Sequence, residues 1–228
     1  MSKEKLINQL KGGLIVSCQA LEEEPLHGAD IMSKMALAAK MGGAVAIRAN
    51  GVLDIQAIKQ KVDLPVIGII KKEYPNLDRY ITPTLKEIKK LIEIGVDIIA
   101  MDATQRVNQD EVSFKEKVDY IHQNGLLAMA DISTLEEGLL AEKNGFDFIS
   151  TTLSGYTNYS RKKAGPDIKL VKELVKQTNS YIIAEGKIRD RADLKKVLKH
   201  NPFAVVIGGA ITRPQCITKL FVETLKGK

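Results

Sequence analysis

The sequence predicts an α/β fold with a single domain, a (β/α)₈ barrel in which helices surround a closed parallel sheet. Three observations support this prediction. The chain has 228 residues, which suits one barrel of the usual size of roughly 250 residues. Eight short runs rich in Val, Ile and Ala recur along it. Each run is followed by a polar loop and then by a longer stretch with helical periodicity.

The eight runs are the predicted strands. They are nearly continuous in apolar residues, which is typical of strands covered on both faces, as in a parallel sheet. In chain order they are GLIVSCQ (13–19), AVAIRAN (44–50), PVIGIIKK (65–72), VDIIAMDA (96–103), LLAMADIS (126–133), FDFISTTL (146–153), YIIAEGK (181–187) and AVVIGGA (204–210). An open doubly wound sheet would instead have a G-x-G-x-x-G turn after the first strand, and the sequence has none there.

Helical periodicity between these runs predicts helices at 28–42, 84–94, 113–124, 134–144, 167–178, 190–200 and 213–226. Glycines in EIGVD (93–97) and KNGFD (143–147) are placed to end two of them. Ser133 or Thr134 is the predicted N-cap of the helix at 134–144, with Glu136 and Glu137 in its first turn.

The remaining segments are an N-terminal extension and two long loops. Residues 1–11 precede the first strand of the domain, which spans 1–228. The loops at 105–112 and 156–166 are long and polar, so they are candidate lids over a site. The whole chain is therefore interpreted as one TIM barrel.

Composition argues against nucleic-acid and membrane partners. The net charge is +6, but the lysines are dispersed along predicted helices, as at Lys86, Lys89 and Lys90, and there is no Trp. No apolar run approaches the roughly 20 residues that span a bilayer. The stretch IVSC (15–18) resembles a lipoprotein cleavage box, but Lys11 and two glycines lie immediately upstream of a three-residue apolar run, so it lacks the apolar core of a signal peptide. Two cysteines without metal-ligand spacing favour a cytoplasmic protein.

The residues that close the predicted strands suggest an active site, because barrel enzymes carry theirs at the carboxyl ends of the strands. A single charged strand end would have little meaning, but a ring of cations, carboxylates and an amide at equivalent positions is hard to explain by solubility. The ring consists of Gln19, Arg48, Lys71, Asp102, Asp131, Thr151 or Thr152, Glu185 and the pair Gly208–Gly209.

The glycine end of the ring suggests a phosphate site. Gly186 follows the seventh strand, and Gly208 and Gly209 follow the eighth. Backbone without a Cβ lets an anion approach main-chain N–H groups, and the following helix adds its positive end. Arg213 in the first turn of the last helix could bind phosphate oxygens, and Pro214 fits a first-turn position. Tight helix packing is the alternative explanation for these glycines.

Lys71 is the predicted general base. It closes an almost wholly apolar strand, so burial and nearby cations would lower its pKa. Glu185 could pair with it or donate a proton, and Arg48 or Gln19 could stabilise a developing oxyanion. These residues fit isomerisation or epimerisation of a phosphosugar. Two alternatives stay open: an aldolase or synthase in which Lys71 forms a Schiff base, and a non-catalytic phosphosugar sensor.

At these residues the chain resembles the bacterial N-acetylmannosamine-6-phosphate 2-epimerase family of sialic acid catabolism. The resemblance covers nearly the whole chain in family order. The stretches that carry it are GLIVSCQALEEEPLH (13–27), MALAAKMGGAVAIRA (35–49), LPVIGIIKK (64–72), ITPT (81–84), MADISTLEEG (129–138), STTLSGYT (150–157), AEGKI (184–188) and VIGGAITRP (206–214). The departures are the residues before Gly12 and the loop QRVNQDE (105–111).

The resemblance implies that the chain interconverts N-acetylmannosamine 6-phosphate and N-acetylglucosamine 6-phosphate by removing and returning the C2 proton. It implies an isomerase that needs no metal and no organic cofactor and that forms a homodimer. The implied roles are catalysis for Lys71 and Glu185, substrate binding for Gln19, Arg48, Asp131, Thr152 and Tyr156, and phosphate binding for Gly186, Gly208, Gly209 and Arg213.

Four further side chains are predicted to have no catalytic role. Cys18 should face away from Gln19 on an alternating strand and fill the core. His27 should cap or pack, and His122 and His200, near helix ends, should be exposed. The apolar pattern of the last helix suits packing on the barrel and equally a dimer contact, through Ile217, Leu220, Phe221 and Leu225.

Overall fold

The computed structural model describes residues 2–106 and 111–227, and it confirms the predicted closed barrel. Eight parallel strands follow one another around the barrel in sequence order, and β8 pairs with β1. The strands are β1 Leu14–Cys18, β2 Ala46–Asn50, β3 Val66–Ile69, β4 Ile98–Asp102, β5 Leu127–Asp131, β6 Phe148–Ser150, β7 Tyr181–Glu185 and β8 Ala204–Ile207.

The helices lie outside this sheet and on its ends. Each predicted helical segment contains one. The helices are α1 Lys3–Leu10, α2 Ala29–Met41, α3 Val52–Lys61, α4 Leu85–Glu93, α5 Phe114–Gln123, α6 Leu135–Lys143, α7 Ile168–Gln177, α8 Arg191–Leu198, α9 Gly209–Thr212 and α10 Pro214–Leu225. No helix of the described ranges is both long and apolar enough to cross a membrane.

Three of these helices were not predicted. The segment treated as an extension contains α1, whose buried Leu6 and Leu10 lie one helical turn apart and belong to the same apolar cluster as the barrel interior. The α3 helix buries only Ile55 and Ile58, so its apolar stripe is too short to stand out in the sequence. A single turn, α9, precedes the last helix, because the non-helical backbone of Arg213 separates the two.

The predicted helix ends are confirmed at α4 and α6. Gly95 and Gly145 follow these helices with φ of +70° and +88°, a region that favours glycine. Thr134, one of the two predicted candidates, caps α6 by accepting a hydrogen bond from the backbone N–H of Glu137. The Glu137 side chain in turn accepts one from the Thr134 backbone, which completes a capping box.

Two apolar layers hold the barrel together. Side chains such as Ile67, Met129 and Phe148 fill the barrel interior, and α1 closes its amino-terminal end. A second layer packs between the strands and the surrounding helices and contains Cys18, as the strand alternation predicted. Burial raises the pKa of the Cys18 thiol to about 12, so this thiol is a neutral core side chain.

The last helix contributes no buried side chain to the core of the described residues, although Ile217 is half-buried and borders the cavity. None of the described residues of α10 is buried, and Phe221 and Leu225 are 70% and 87% exposed. Packing against the barrel wall, one of the two predicted uses of its apolar face, is therefore not found at Leu220, Phe221 and Leu225, which are exposed. The dimer contact remains as a prediction.

Candidate active site

The predicted site residues gather around one cavity at the carboxyl ends of the strands. Its volume is about 1050 Å³, which is ample for a phosphosugar, since ligand pockets commonly measure about 300–1,000 Å³. Ten of the eleven predicted site residues line it. They are Gln19, Arg48, Lys71, Thr152, Tyr156, Glu185, Gly186, Gly208, Gly209 and Arg213.

The floor of the cavity is a buried ion-pair cluster centred on Arg48, which is 1% exposed. Its Nη1 and Nη2 donate to Asp131 Oδ1 and Oδ2 at 2.9 and 2.5 Å. Nη1 also donates to Glu185 Oε2 at 2.6 Å. Thr152 Oγ1 lies 2.7 Å from Asp131 Oδ1 and 3.0 Å from Glu185 Oε2, so its hydroxyl can donate to either carboxylate. One guanidinium thus holds the carboxylates that end two strands, β5 and β7.

This arrangement bears on two of the predicted roles. Glu185 was predicted to pair with Lys71 or to donate a proton, and its ion pair in the structure is with Arg48. Asp131 was predicted to contact the substrate, and it lies fully buried behind Arg48. The physical reason is the same in both cases, because buried carboxylates need a charged partner and the Arg48 guanidinium reaches both.

Burial and neighbouring charges shift the titration of this cluster. Burial raises the pKa of the Glu185 carboxyl; Arg48 lowers it and the charge of Asp131 raises it further, and the net shift is upward. For Arg48, burial disfavours the charged form, but Asp131 and Glu185 outweigh it and raise its pKa. The guanidinium therefore stays charged, while Glu185 holds a proton more readily than an ordinary glutamate does.

Lys71 lies two residues beyond the end of β3 and lines the cavity. Its backbone N–H donates to Asn50 Oδ1 at 2.8 Å, and its backbone pairs with Ile81 across a short antiparallel bridge. The next residue, Lys72, is exposed. The chain thus folds back on itself at this point, and it turns one ammonium into the cavity and the other to solvent, as predicted.

The Lys71 amine points into the cavity without a fixed partner in the described part of the chain. Within residues 2–106 and 111–227 its Nζ makes no hydrogen bond and no ion pair. Burial lowers the pKa of Lys71, and the charges of Arg48 and Arg213 lower it further, against opposing contributions from Glu185 and Glu24. Lys71 therefore loses its proton more readily than an ordinary lysine does, which gives the neutral amine that a general base requires.

The glycine end of the cavity is close to the predicted arrangement. Gly186 has φ of +102°, which favours glycine. At Gly208, the N-cap of α9, a Cβ would lie 3.3 Å from Ser17 Cβ. Pro214 is the first residue of α10, where no N–H is lost. Gly186, Gly208 and Gly209 all border the cavity, so their backbone N–H groups remain the predicted phosphate ligands.

Arg213 lies at this end as expected, but it already has an acidic partner. Its Nε lies 2.6 Å from Glu24 Oε1, and its Nη2 donates to Glu24 Oε2 at 2.8 Å. Glu24 belongs to the loop after β1. No pattern in the run of three glutamates at 22–24 distinguishes this one, so sequence reasoning did not find it.

Two predicted substrate contacts lie at the sides of the cavity. Gln19 Nε2 donates to Ser17 Oγ at 2.7 Å. Tyr156 is 58% exposed, and the Lys187 amine lies 5.0 Å from the centre of its ring. Lys187 also lines the cavity and has φ of +58°, unusual for a residue with a Cβ. It was not predicted, although its place directly after Gly186 was a signal.

Asp102 closes its strand as expected but lies outside the cavity lining. Its carboxylate pairs with Arg106 and accepts a hydrogen bond from the Thr104 hydroxyl at 2.6 Å. Arg106 belongs to the loop at 105–112, a predicted lid of which residues 107–110 lie outside the described residues. The loop at 156–166 is described, and Tyr156 at its start borders the cavity.

The histidines lie outside this site. His27 is exposed, and its Nδ1 lies 3.2 Å from the Ala20 carbonyl oxygen. His122 and His200 were predicted to be exposed, but both are half-buried. The reason at His122 is a partner, since its Nε2 lies 2.8 Å from Asp147 Oδ2. In the described part of the chain, no three His, Cys, Asp or Glu side chains form a group that could hold a metal ion.

Comparisons with known proteins show the family to which the chain is similar. Residues 32–227 match the model of the family described as "Putative N-acetylmannosamine-6-phosphate epimerase". A relative from Clostridium perfringens named as a 2-epimerase of the same compound is 54% identical over 97% of this chain and 100% of its own length. One from Caldanaerobacter subterraneus is 54% identical over 97% of this chain and 94% of its own length.

Solved structures extend the comparison to the fold. The N-acetylmannosamine-6-phosphate 2-epimerase of Clostridium perfringens superposes with a TM-score of 0.94, at 53% identity over 96% of both chains. A thiamine phosphate pyrophosphorylase from Pyrococcus furiosus reaches 0.63 at 18% identity, over 91% of this chain and 89% of its own. The second likeness concerns the barrel alone.

Proposed function

Because the chain belongs to the N-acetylmannosamine-6-phosphate epimerase family, we propose that it interconverts N-acetylmannosamine 6-phosphate and N-acetylglucosamine 6-phosphate in sialic acid catabolism. The observation that carries this proposal is the Lys71 amine inside the cavity, which is unpaired among the described residues and has its pKa lowered by burial and by neighbouring cations. Epimerisation at C2 needs a base of this kind within reach of one carbon-bound proton.

The reaction begins when the sugar ring opens and its aldehyde makes the C2 proton acidic. Neutral Lys71 accepts that proton, and the electrons of the C–H bond move towards the aldehyde oxygen, which becomes an oxyanion. Arg48 at the floor and the Gln19 amide at the side are the donors for this oxygen. Return of a proton to the other face of C2 gives the epimer and restores the aldehyde.

Glu185 is the acidic group that works together with Lys71 in this scheme. Its raised pKa suits a group that holds or passes on a proton. The second face of C2 is served either by Lys71 after the intermediate rotates or by Glu185. Asp131 acts through Arg48, because the guanidinium lies between it and the cavity. Thr152 supports the same cluster through its hydroxyl.

The phosphate end binds the far end of the sugar. The N–H groups at Gly186, Gly208 and Gly209 are available to phosphate oxygens, and Arg213 adds charge and direction. Tyr156 lies at the rim of the same cavity. Pinning the phosphate fixes the position of C2 relative to Lys71, which is the condition for rapid proton transfer.

A proton NMR time course in heavy water tests the proposed reaction. The protein is incubated with N-acetylmannosamine 6-phosphate, and the spectra follow product identity and the C2 signal together. We expect N-acetylglucosamine 6-phosphate to accumulate with deuterium at C2. Binding of the phosphosugar without deuterium incorporation would refute the epimerase and favour a sensor, whereas trapping of substrate on Lys71 by borohydride would favour a Schiff-base enzyme.

The proposed functional unit is a homodimer formed through α10. Phe221 and Leu225 leave an apolar face uncovered, and contiguous exposed apolar faces commonly mark protein interfaces. Burying each of these side chains would contribute about 1.5–3 kcal/mol. Cys18 and Cys216 are both free thiols, which agrees with a cytoplasmic location.

Replacing Phe221 with glutamate should convert the dimer into a monomer, because the charge would have to be buried in the contact. Size-exclusion chromatography with light scattering measures the mass directly. Lys226→Glu, at the exposed end of the same helix, is the matched control and should stay dimeric. A monomeric wild-type protein, or a dimeric Phe221→Glu variant, would contradict this assignment.

A further inference from the structure

The contact between Glu24 and Arg213 is the least explained part of the site. Glu24 lies in the loop between β1 and α2, 189 residues away from Arg213 along the chain. Besides Arg213, its carboxylate accepts hydrogen bonds from the Leu21 backbone N–H at 2.9 Å and from Gln215 Nε2 at 3.1 Å. Both carboxylate oxygens are therefore engaged, and the side chain has a defined orientation.

The geometry of the pair determines which side of Arg213 remains available. Glu24 faces the edge formed by Nε and Nη2 of the guanidinium: Nη2 donates a hydrogen bond to Oε2 at 2.8 Å, and Nε lies 2.6 Å from Oε1 as an ion pair that lacks hydrogen-bond geometry. Nη1 has no partner among residues 2–106 and 111–227. A guanidinium carries five N–H donors in a fixed plane, so binding one edge to a carboxylate turns the opposite edge in a set direction.

From this arrangement we infer that Glu24 is a positioning residue, which holds Arg213 so that its Nη1 edge faces the phosphate of the substrate. The inference rests on the proposed function, in which Arg213 binds that phosphate. Arg213 lines the cavity while Glu24 does not, so the carboxylate lies behind the guanidinium rather than in the path of the anion. An Arg213 side chain that rotates freely would bind phosphate more weakly, because a bidentate contact requires the guanidinium plane to be held in one orientation.

Glu24 also balances the charge around the catalytic amine. The charged groups that act on Lys71 are Arg48 and Arg213, which disfavour its protonation, and Glu185 and Glu24, which favour it. Removing the Glu24 charge would lower the pKa of Lys71 further. This charge acts on Lys71 whatever else Glu24 does, so the pH profile reports the charge, and the Kd of phosphate reports the positioning of Arg213.

The test compares Glu24→Gln with Glu23→Gln. Both substitutions remove one charge from the same loop, but Glu23 is exposed and has no assigned role. Calorimetry measures the Kd of inorganic phosphate for each variant and for wild type, without any turnover. Steady-state kinetics with N-acetylmannosamine 6-phosphate then give KM, kcat and the pH at which kcat is half-maximal. Thermal melts and light scattering check the fold and the oligomeric state.

For Glu24→Gln we expect the phosphate Kd and KM to rise about tenfold, with kcat at its optimum within about twofold of wild type. The midpoint of the pH profile should move to lower pH, because the lysine loses a negative neighbour. Glu23→Gln should match wild type in every measurement. Retention of these binding and pH values in Glu24→Gln, even with a lower melting temperature, would overturn the inference.

Tighter phosphate binding by Glu24→Gln would also overturn it, because Glu24 would then compete with phosphate for Arg213. Failure of the proposed function has a different signature. A wild-type protein that does not epimerise the phosphosugar refutes the proposed reaction. The role of Glu24 is still tested in that case, by comparing the Kd of phosphate between Glu24→Gln and Glu23→Gln. If wild type binds no phosphate at all, the phosphate site and the role of Glu24 are refuted together.

Discussion

Replacing Lys71 with methionine lowers kcat by roughly 10²- to 10⁴-fold, the range that a general base contributes, and stops deuterium incorporation at C2. Methionine keeps an unbranched apolar side chain of similar length in the partly buried site but cannot accept a proton. The Kd of inorganic phosphate should stay within about twofold of wild type, because the phosphate end is built by other residues. NMR in heavy water and calorimetry provide the two measurements.

Lys72→Met is the matched control for this variant. Lys72 is adjacent in sequence but exposed, so the substitution changes the same charge outside the cavity. We expect its kcat and C2 exchange to match wild type. A Lys71→Met variant that still exchanges the C2 proton at the wild-type rate would show that another group is the base.

The pH dependence of wild type follows from the same amine. The base is active when neutral, so kcat should rise with pH through the pKa of Lys71 and then level off. Burial and the charges of Arg48 and Arg213 lower that pKa, which places the midpoint below the ordinary lysine value of about 10.4. A midpoint at or above that value would mean that the amine is solvated during turnover.

The part of the site that could be predicted is the part fixed by strand register. Parallel strands in a barrel bring their carboxyl ends to one rim, so reading the polar residues at or near the end of each apolar run was enough to place Lys71, Arg48 and Glu185 at the cavity. The same alternation placed Cys18 in the outer apolar layer. These positions depend on local sequence and on the architecture alone.

The partners of the charged side chains and the packing of the terminal helices could not be predicted from strand register. Arg48 bonds to Asp131 and Glu185, 83 and 137 residues away, and the register of the strands does not decide which carboxylate a guanidinium reaches. The choice of Glu24 among three consecutive glutamates depends on the position of Arg213 in the folded chain. The exposure of α10 is also a tertiary property, because its apolar pattern suits either a barrel wall or a partner.

The Arg48→Met variant should be strongly destabilised, more so than Lys71→Met or Glu24→Gln. It leaves the carboxylates of Asp131 and Glu185 buried without their cation, and removing one partner of a buried ion pair typically costs about 3–5 kcal/mol. For a chain of this size each kcal/mol lowers Tm by about 2–4 °C, so the expected fall is about 6–20 °C. Arg191→Met, at an exposed position in α8, should change Tm little.

The pH dependence of this loss identifies its cause. Burial raises the pKa of Glu185 above its unfolded value, so its contribution to stability is present at low pH and is lost as pH rises through the folded pKa. Without Arg48 the pKa of Glu185 rises further, so ionisation of Glu185 destabilises the folded state more in the variant than in wild type. The difference in Tm from wild type should therefore be smaller at pH 5 than at pH 8. A difference that is equal at both pH values would attribute the loss to packing, and the ion pairs at the cavity floor would then be dispensable for stability.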